Sequence, residues 1–155
     1  MGNLVWHEYS RYVSVTASVY AVWASFFGLL YRKYFWDFVG GTFRDPGGIQ
    51  PGPNSAIFIM LIVKAPVIQI LSMILGLFLL ALEFPLPPLK GLALHRSIVL
   101  RIVLLLFQVF LNILYYQGTN AAIWSLIAAI CYTRAQMLGE TMAEAKNNRG
   151  KGGSA

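Results

Sequence analysis

The chain has 155 residues, 57% of them hydrophobic and only 12% charged, with a mean hydropathy of +0.63. Soluble domains are about a quarter charged, so the composition excludes a water-facing globule and points to a lipid bilayer. Twelve Lys and Arg against six Asp and Glu give a formal charge of +6, which in a membrane chain sets orientation and attracts anionic headgroups rather than nucleic acid.

One cysteine, Cys131, excludes an internal disulfide, and with two histidines it cannot complete a tetrahedral zinc site. The opening Met1-Gly2-Asn3-Leu4-Val5-Trp6 has no basic stretch before the first apolar run, so no cleaved signal peptide is expected. Trp6 stands where N-myristoylation wants Ser or Thr.

Tyr12 to Tyr31 is uncharged between Arg11 and Arg32 and, at about 30 Å as a helix, predicts a first membrane span over 12–31. Ser14, Ser18, Ala21, Ser25 and Gly28 recur at spacings of four and three along it. Such a stripe lets helix backbones approach closely, which drives association in lipid.

The segment that follows, 32–55, alternates charge with aromatics at Tyr34, Phe35, Trp36 and Phe38, as an interfacial anchor does. Its second half is rich in Pro and Gly and reads as turns.

A second span is expected over 56–82, interrupted by Lys64, Pro66 and Gln69. It exceeds one bilayer thickness, so tilting, a kink at Pro66 or an interfacial start is expected. Pro66 leaves a carbonyl without its helical donor, which Lys64 or Gln69 could serve. Lys64 is read as snorkelling toward the first loop, with Asp37 or Asp45 as counter-ion.

No charge interrupts Ile102 to Thr133, about 48 Å if it were one helix. Gln117-Gly118-Thr119-Asn120 offers a turn, giving spans at 97–117 and 120–137 with Tyr115-Tyr116 at the headgroup level. Arg101, Gln108 and Asn112 share one face of the third span, and lipid offers them no partner. Arg101 is placed to meet Glu83, and the set reads as interhelical glue or as a polar path. His95 is expected to face headgroups. In the fourth span, Ala121, Ser125, Ala128 and Ala135 form a second small-residue set around Tyr132. Leu138, Met142 and Ala145 then predict a helical extension to 146, before a flexible basic tail at 147–155.

The expected fold is thus all-α, an integral membrane four-helix bundle formed by residues 1–146. With an even number of spans, Arg11, Lys90, Arg96, Arg101, Arg134, Lys146, Arg149 and Lys151 fall on one side, against Arg32, Lys33 and Arg44 on the other. Both termini are therefore expected in the cytoplasm, in a multi-pass protein of an endomembrane or the plasma membrane.

Trp6 to Ala24, Tyr31 to Phe38, Val63 to Ile68, Tyr115 to Ala122 and Ala145 to Gly153 resemble a family of small fungal membrane proteins known as a domain of unknown function. The resemblance covers nearly the whole chain and implies no activity or site residue. No span carries an acidic residue deep in hydrocarbon, and no nucleophile–base pair, phosphate loop or metal spacing stands out. The expectation is a non-catalytic accessory protein without cofactor, its partners the lipid bilayer and a larger membrane complex or a second copy of itself. A small oligomeric channel or transporter, and a lipid-organising protein, are the alternatives.

Overall fold

A computed structural model describes residues 4–33, 52–84 and 93–141. Among them are six α-helices and no strand: α1 (Trp6–Leu30), α2 (Ala56–Ile59), α3 (Val67–Glu83), α4 (Ala93–Arg96), α5 (Ile98–Ile113) and α6 (Thr119–Met137). The anchor residues Tyr34, Phe35, Trp36 and Phe38, the counter-ions Asp37 and Asp45, and the tail from 142 onward lie outside the described residues.

Helix α1 packs against α6 and α3, and α5 packs against α6 and α3, so the four longer helices surround a common interior. Successive long helices run in opposite directions. The end of α1 meets the start of α3 at Gly28 and Gln69, and the end of α3 meets the start of α5 at Glu83 and Arg101.

The small-residue pattern explains the α1 contacts. Ser14, Ser18, Ala21, Ser25 and Gly28 are all buried, while Tyr12, Val19, Trp23 and Phe26 face outward. From α3, Gly76 closes on this face: a Cβ there would lie 3.2 Å from the Ser18 carbonyl oxygen and 3.0 Å from Val22 Cγ2. Glycine lets these two helices approach at a distance that a side chain would widen.

The second apolar run is not one helix. A 3-10 turn (Pro53–Ser55), α2 and a π turn (Met60–Lys64) precede a break at Ala65-Pro66, and the two halves meet at 68°. Pro66 has no N–H for the Ile62 carbonyl. Gln69 Nε2 donates to that oxygen instead, at 3.0 Å. The residue that serves the proline gap is Gln69, not Lys64, whose side chain is exposed.

Ser97 caps α5, its Oγ accepting the Leu100 N–H at 3.1 Å. A 3-10 turn over Tyr116–Gly118 then joins α5 to α6. Gly118 has no alternative there, because a Cβ would sit on the Asn112 carbonyl oxygen.

The expected helical extension to 146 is corrected over the residues described: α6 stops at Met137. Gly139 adopts a positive φ of 67°, its N–H bonds the Gln136 carbonyl, and the Glu140 N–H bonds the Ala135 carbonyl. This paired closure is the glycine-terminated helix end, and it turns the chain back toward α1.

Helix α1 is long and apolar enough to cross a membrane, and the bent pair Pro53–Lys64 plus Val67–Glu83 passes the same test when taken as one span. Helix α5 is apolar but has 16 residues, about 24 Å, shorter than the span expected over 97–117.

Candidate functional site

Two polar clusters lie in the interior, one toward each end of the helices. The first gathers at the α5–α6 turn. Asn112 Oδ1 accepts from Tyr115 OH at 2.6 Å and from Ser72 Oγ at 2.9 Å, and Asn112 Nδ2 donates to the Gln108 carbonyl at 2.8 Å. Ser25 Oγ and Ser72 Oγ lie 2.9 and 3.2 Å from the Tyr115 hydroxyl. Gln108 Nε2 donates to Ser125 Oγ at 2.9 Å, and that hydroxyl donates to the Ala121 carbonyl. Gln69 completes the set through the Ile62 carbonyl and, at 3.4 Å, the Gly28 carbonyl. All seven side chains are buried, and they come from α1, α3, α5, the following turn and α6.

Tyr115 is fully buried, while its neighbour Tyr116 is exposed. The reason is local: α5 ends just before it and the tight turn at Gly118 folds its ring inward against Gly28.

The second cluster surrounds Arg101. Its Nε lies 3.4 Å from Glu83 Oε1, with both side chains 1% exposed. Tyr132 OH donates to the same oxygen at 2.8 Å. Arg101 Nη1 donates to the His95 carbonyl at 2.6 Å, and Nη2 to the Leu82 carbonyl at 3.0 Å. His95 is turned inward, its Nδ1 3.3 Å from Arg101 Nη2 and 3.1 Å from the Leu82 carbonyl. The expected headgroup contact of His95 is thereby corrected: closing the carbonyl ends of α3 takes the ring instead.

Beside it, the Glu140 carboxylate accepts the backbone N–H groups of Trp6 and His7 at 3.1 and 2.8 Å, and the His7 ring at 2.8 Å. Val5, at the N-cap of α1, supplies no capping side chain, so Glu140, 134 positions from Trp6, fills that role. Burial raises the Glu140 carboxyl, but the His7 and Trp6 hydrogen bonds and the His7 charge outweigh it and hold the group below its ordinary value.

The expected packing residues Ser14, Ser18, Ala21, Ser25, Gly28, Ala121, Ser125 and Ala128 are all buried between helices. Of the expected polar set, Gln69, Arg101, Gln108 and Asn112 are buried; Lys64 stands apart and exposed. Sequence reasoning missed Tyr115, His7 and Glu140. The pairing of His7 with Glu140 had no local signal, although Gly139 marks the turn that makes it possible.

Chemically, both clusters spend their donors on neighbouring helices and on carbonyls of their own helices. Among the described residues, no three His, Cys, Asp or Glu side chains are grouped to hold a metal ion. A family model for a domain of unknown function, DUF7727, matches residues 1–140. The chain belongs to the DUF7727 family. No curated protein and no solved structure matches it.

Proposed function

We propose that the chain is an integral membrane four-helix bundle that acts without catalysis, as an accessory or scaffold subunit that associates with and stabilises a larger membrane protein complex. The observation that carries this reading is the inverted distribution of polarity. The interior holds Ser10, Ser14, Ser18, Gln69, Ser72, Gln108, Asn112 and an Arg–Glu pair, while the outer faces carry Trp23, Phe26, Ile74, Leu77, Phe107, Phe110, Ile123 and Ile130. Water would penalise that outer surface; hydrocarbon penalises unpaired polar groups and rewards their mutual bonding.

Support for a partner comes from α1. Tyr9, Tyr12, Tyr20, Trp23 and Phe26 form an exposed aromatic face, a composition enriched at protein interfaces. Tyr20 lies mid-helix and exposed, where lipid offers its hydroxyl no acceptor and a neighbouring helix does. Mild-detergent extraction followed by native electrophoresis should find the chain in an assembly larger than itself. A lone monomer under every mild condition would sink the accessory role.

A second reading, a small oligomeric channel or transporter, draws on buried acceptors with no partner among the described residues: Gln69 Oε1, Gln108 Oε1, Ser14 Oγ and Ser18 Oγ. Solute flux into liposomes that hold the purified protein, lost in Gln108→Leu and Gln69→Leu variants, would favour it.

A further inference from the structure

Three cations from two parts of the chain come together where α1 ends, the bent segment turns and α5 gives way to α6. Arg32 and Lys33 follow α1, and Lys64 closes the π turn; all three side chains are exposed. Arg32 Nη1 donates to the Lys64 carbonyl at 3.2 Å, which brings the two segments together. Lys33 Nζ lies 5.6 Å from the centre of the Tyr116 ring, while the Lys33 carbonyl accepts the Tyr116 N–H at 3.0 Å. Gln117 Nε2 donates to the Tyr31 carbonyl at 2.7 Å. Among the described residues, these bonds use carbonyl oxygens to fix the backbone, Arg32 Nε also donates to the Leu29 carbonyl at 3.5 Å, and no carboxylate takes either ammonium group.

Nothing of opposite charge is near them among the described residues. Glu8 belongs to the first turn of α1, Glu83 to the end of α3, and Glu140 reaches the start of α1, so all three lie at the other end of the helices. The surroundings are amphipathic. Tyr31 and Tyr116 are exposed beside the cations, and Leu30, Ile57 and Met60 are exposed just along the helices.

We propose that Arg32, Lys33 and Lys64 form a binding site for the phosphate of an anionic phospholipid headgroup. The planar guanidinium suits two phosphate oxygens at once, and the two ammonium groups add point charges. The tyrosines suit the headgroup level, and the adjoining apolar side chains suit the acyl chains, which a free phosphate ion does not have. The site rests on the membrane reading given above.

The test uses the full chain purified in mild detergent, with native mass spectrometry of bound lipid. Phosphatidylglycerol should be retained in preference to phosphatidylcholine and should survive excess inorganic phosphate. Lys33→Gln with Lys64→Gln keeps the Arg32 bond to the Lys64 carbonyl and should weaken phosphatidylglycerol binding about 30-fold, with an unchanged melting profile. Lys146→Gln with Arg149→Gln and Lys151→Gln removes three charges from the tail and should leave binding intact. The site is overturned if the tail variant loses as much as the double variant, if both lipids bind equally, or if inorganic phosphate displaces the lipid, which would assign a free-phosphate site instead. Alkaline carbonate extraction of the same membranes separates the two failures: release of the chain sinks the membrane reading, whereas a retained chain without lipid preference sinks only this site.

Discussion

Removing Asn112 tests whether the buried amides and hydroxyls hold the helices together. Its Oδ1 is the shared acceptor of Ser72 on α3 and of Tyr115 beyond α5. In Asn112→Ala both hydroxyl protons lose that acceptor, but the Tyr115 proton can pass to Ser25 Oγ at 2.9 Å, whose own proton is held by the Ala21 carbonyl, and the Ser72 proton to the Tyr115 oxygen at 3.2 Å. No hydroxyl is then orphaned, and the hydrogen-bonding loss is expected near that of one net bond, about 1 kcal/mol. The cavity left by the truncated side chain blurs that figure, so the sharper quantity is the coupling with Ser72→Ala in a double-mutant cycle. Interhelical polar pairs in membrane proteins couple by about 0.6 kcal/mol on average and up to about 1.7 kcal/mol; the 2.9 Å bond between fully buried partners belongs in the upper part of that range. The assay is reversible unfolding in mixed detergent micelles, followed by circular dichroism. A coupling indistinguishable from zero would mean that the bond contributes nothing to holding α3 against α5.

Three other outcomes are expected. Glu83→Ala should cost about 3–5 kcal/mol by leaving the Arg101 guanidinium buried and uncompensated, whereas Tyr132→Phe, which keeps the ion pair, should cost about 1 kcal/mol; equal losses in the same unfolding assay would contradict the pairing. Gly118→Ala should destabilise by at least the upper end of about 1–3 kcal/mol, since its Cβ meets a backbone oxygen that cannot give way, and a melting temperature equal to that of the parent would refute the tight α5–α6 turn. The Glu140 contact to Trp6 and His7 should be complete above the carboxyl's ordinary value of 4.5 and lost as pH falls through its lowered native value, because a carboxyl whose native value is lowered favours the folded form only while it is ionised. Amide protection factors at Trp6 and His7, taken against the intrinsic exchange rate at each pH, should fall across that acid window, and Glu140→Gln should abolish the step.

Much of the helical framework was legible from the sequence because its signals are local. The Ser14–Ser18–Ala21–Ser25–Gly28 spacing marks the buried face of α1 directly, and the offsets of Arg101, Gln108 and Asn112 place all three in the interior of α5. Glu83 and Arg101 could be paired in advance because they sit at matching ends of adjacent spans. Pro66 announced an orphan carbonyl, and Gln69 was one of two candidates for it. What escaped was set by distant contacts or by a single backbone angle. Tyr115 has the composition of an interface anchor, and only the turn at Gly118 drives its ring inward. The C-terminal helix formers outvoted Gly139 in the sequence pattern, yet one left-handed residue, stabilised by two backbone bonds, ends α6. The pairing of Glu140 with His7 depends on that turn and on the antiparallel packing of α1 and α6, neither of which composition encodes.

The most direct test of the proposed inverted bundle is cysteine accessibility in native membranes. With Cys131→Ala as background, Ile74→Cys, Phe107→Cys and Ile127→Cys each place a thiol on an exposed outer face. These thiols should resist a charged, water-soluble maleimide and react with a lipid-soluble one. Rapid labelling of all three by the charged reagent in intact membranes would contradict the inverted bundle.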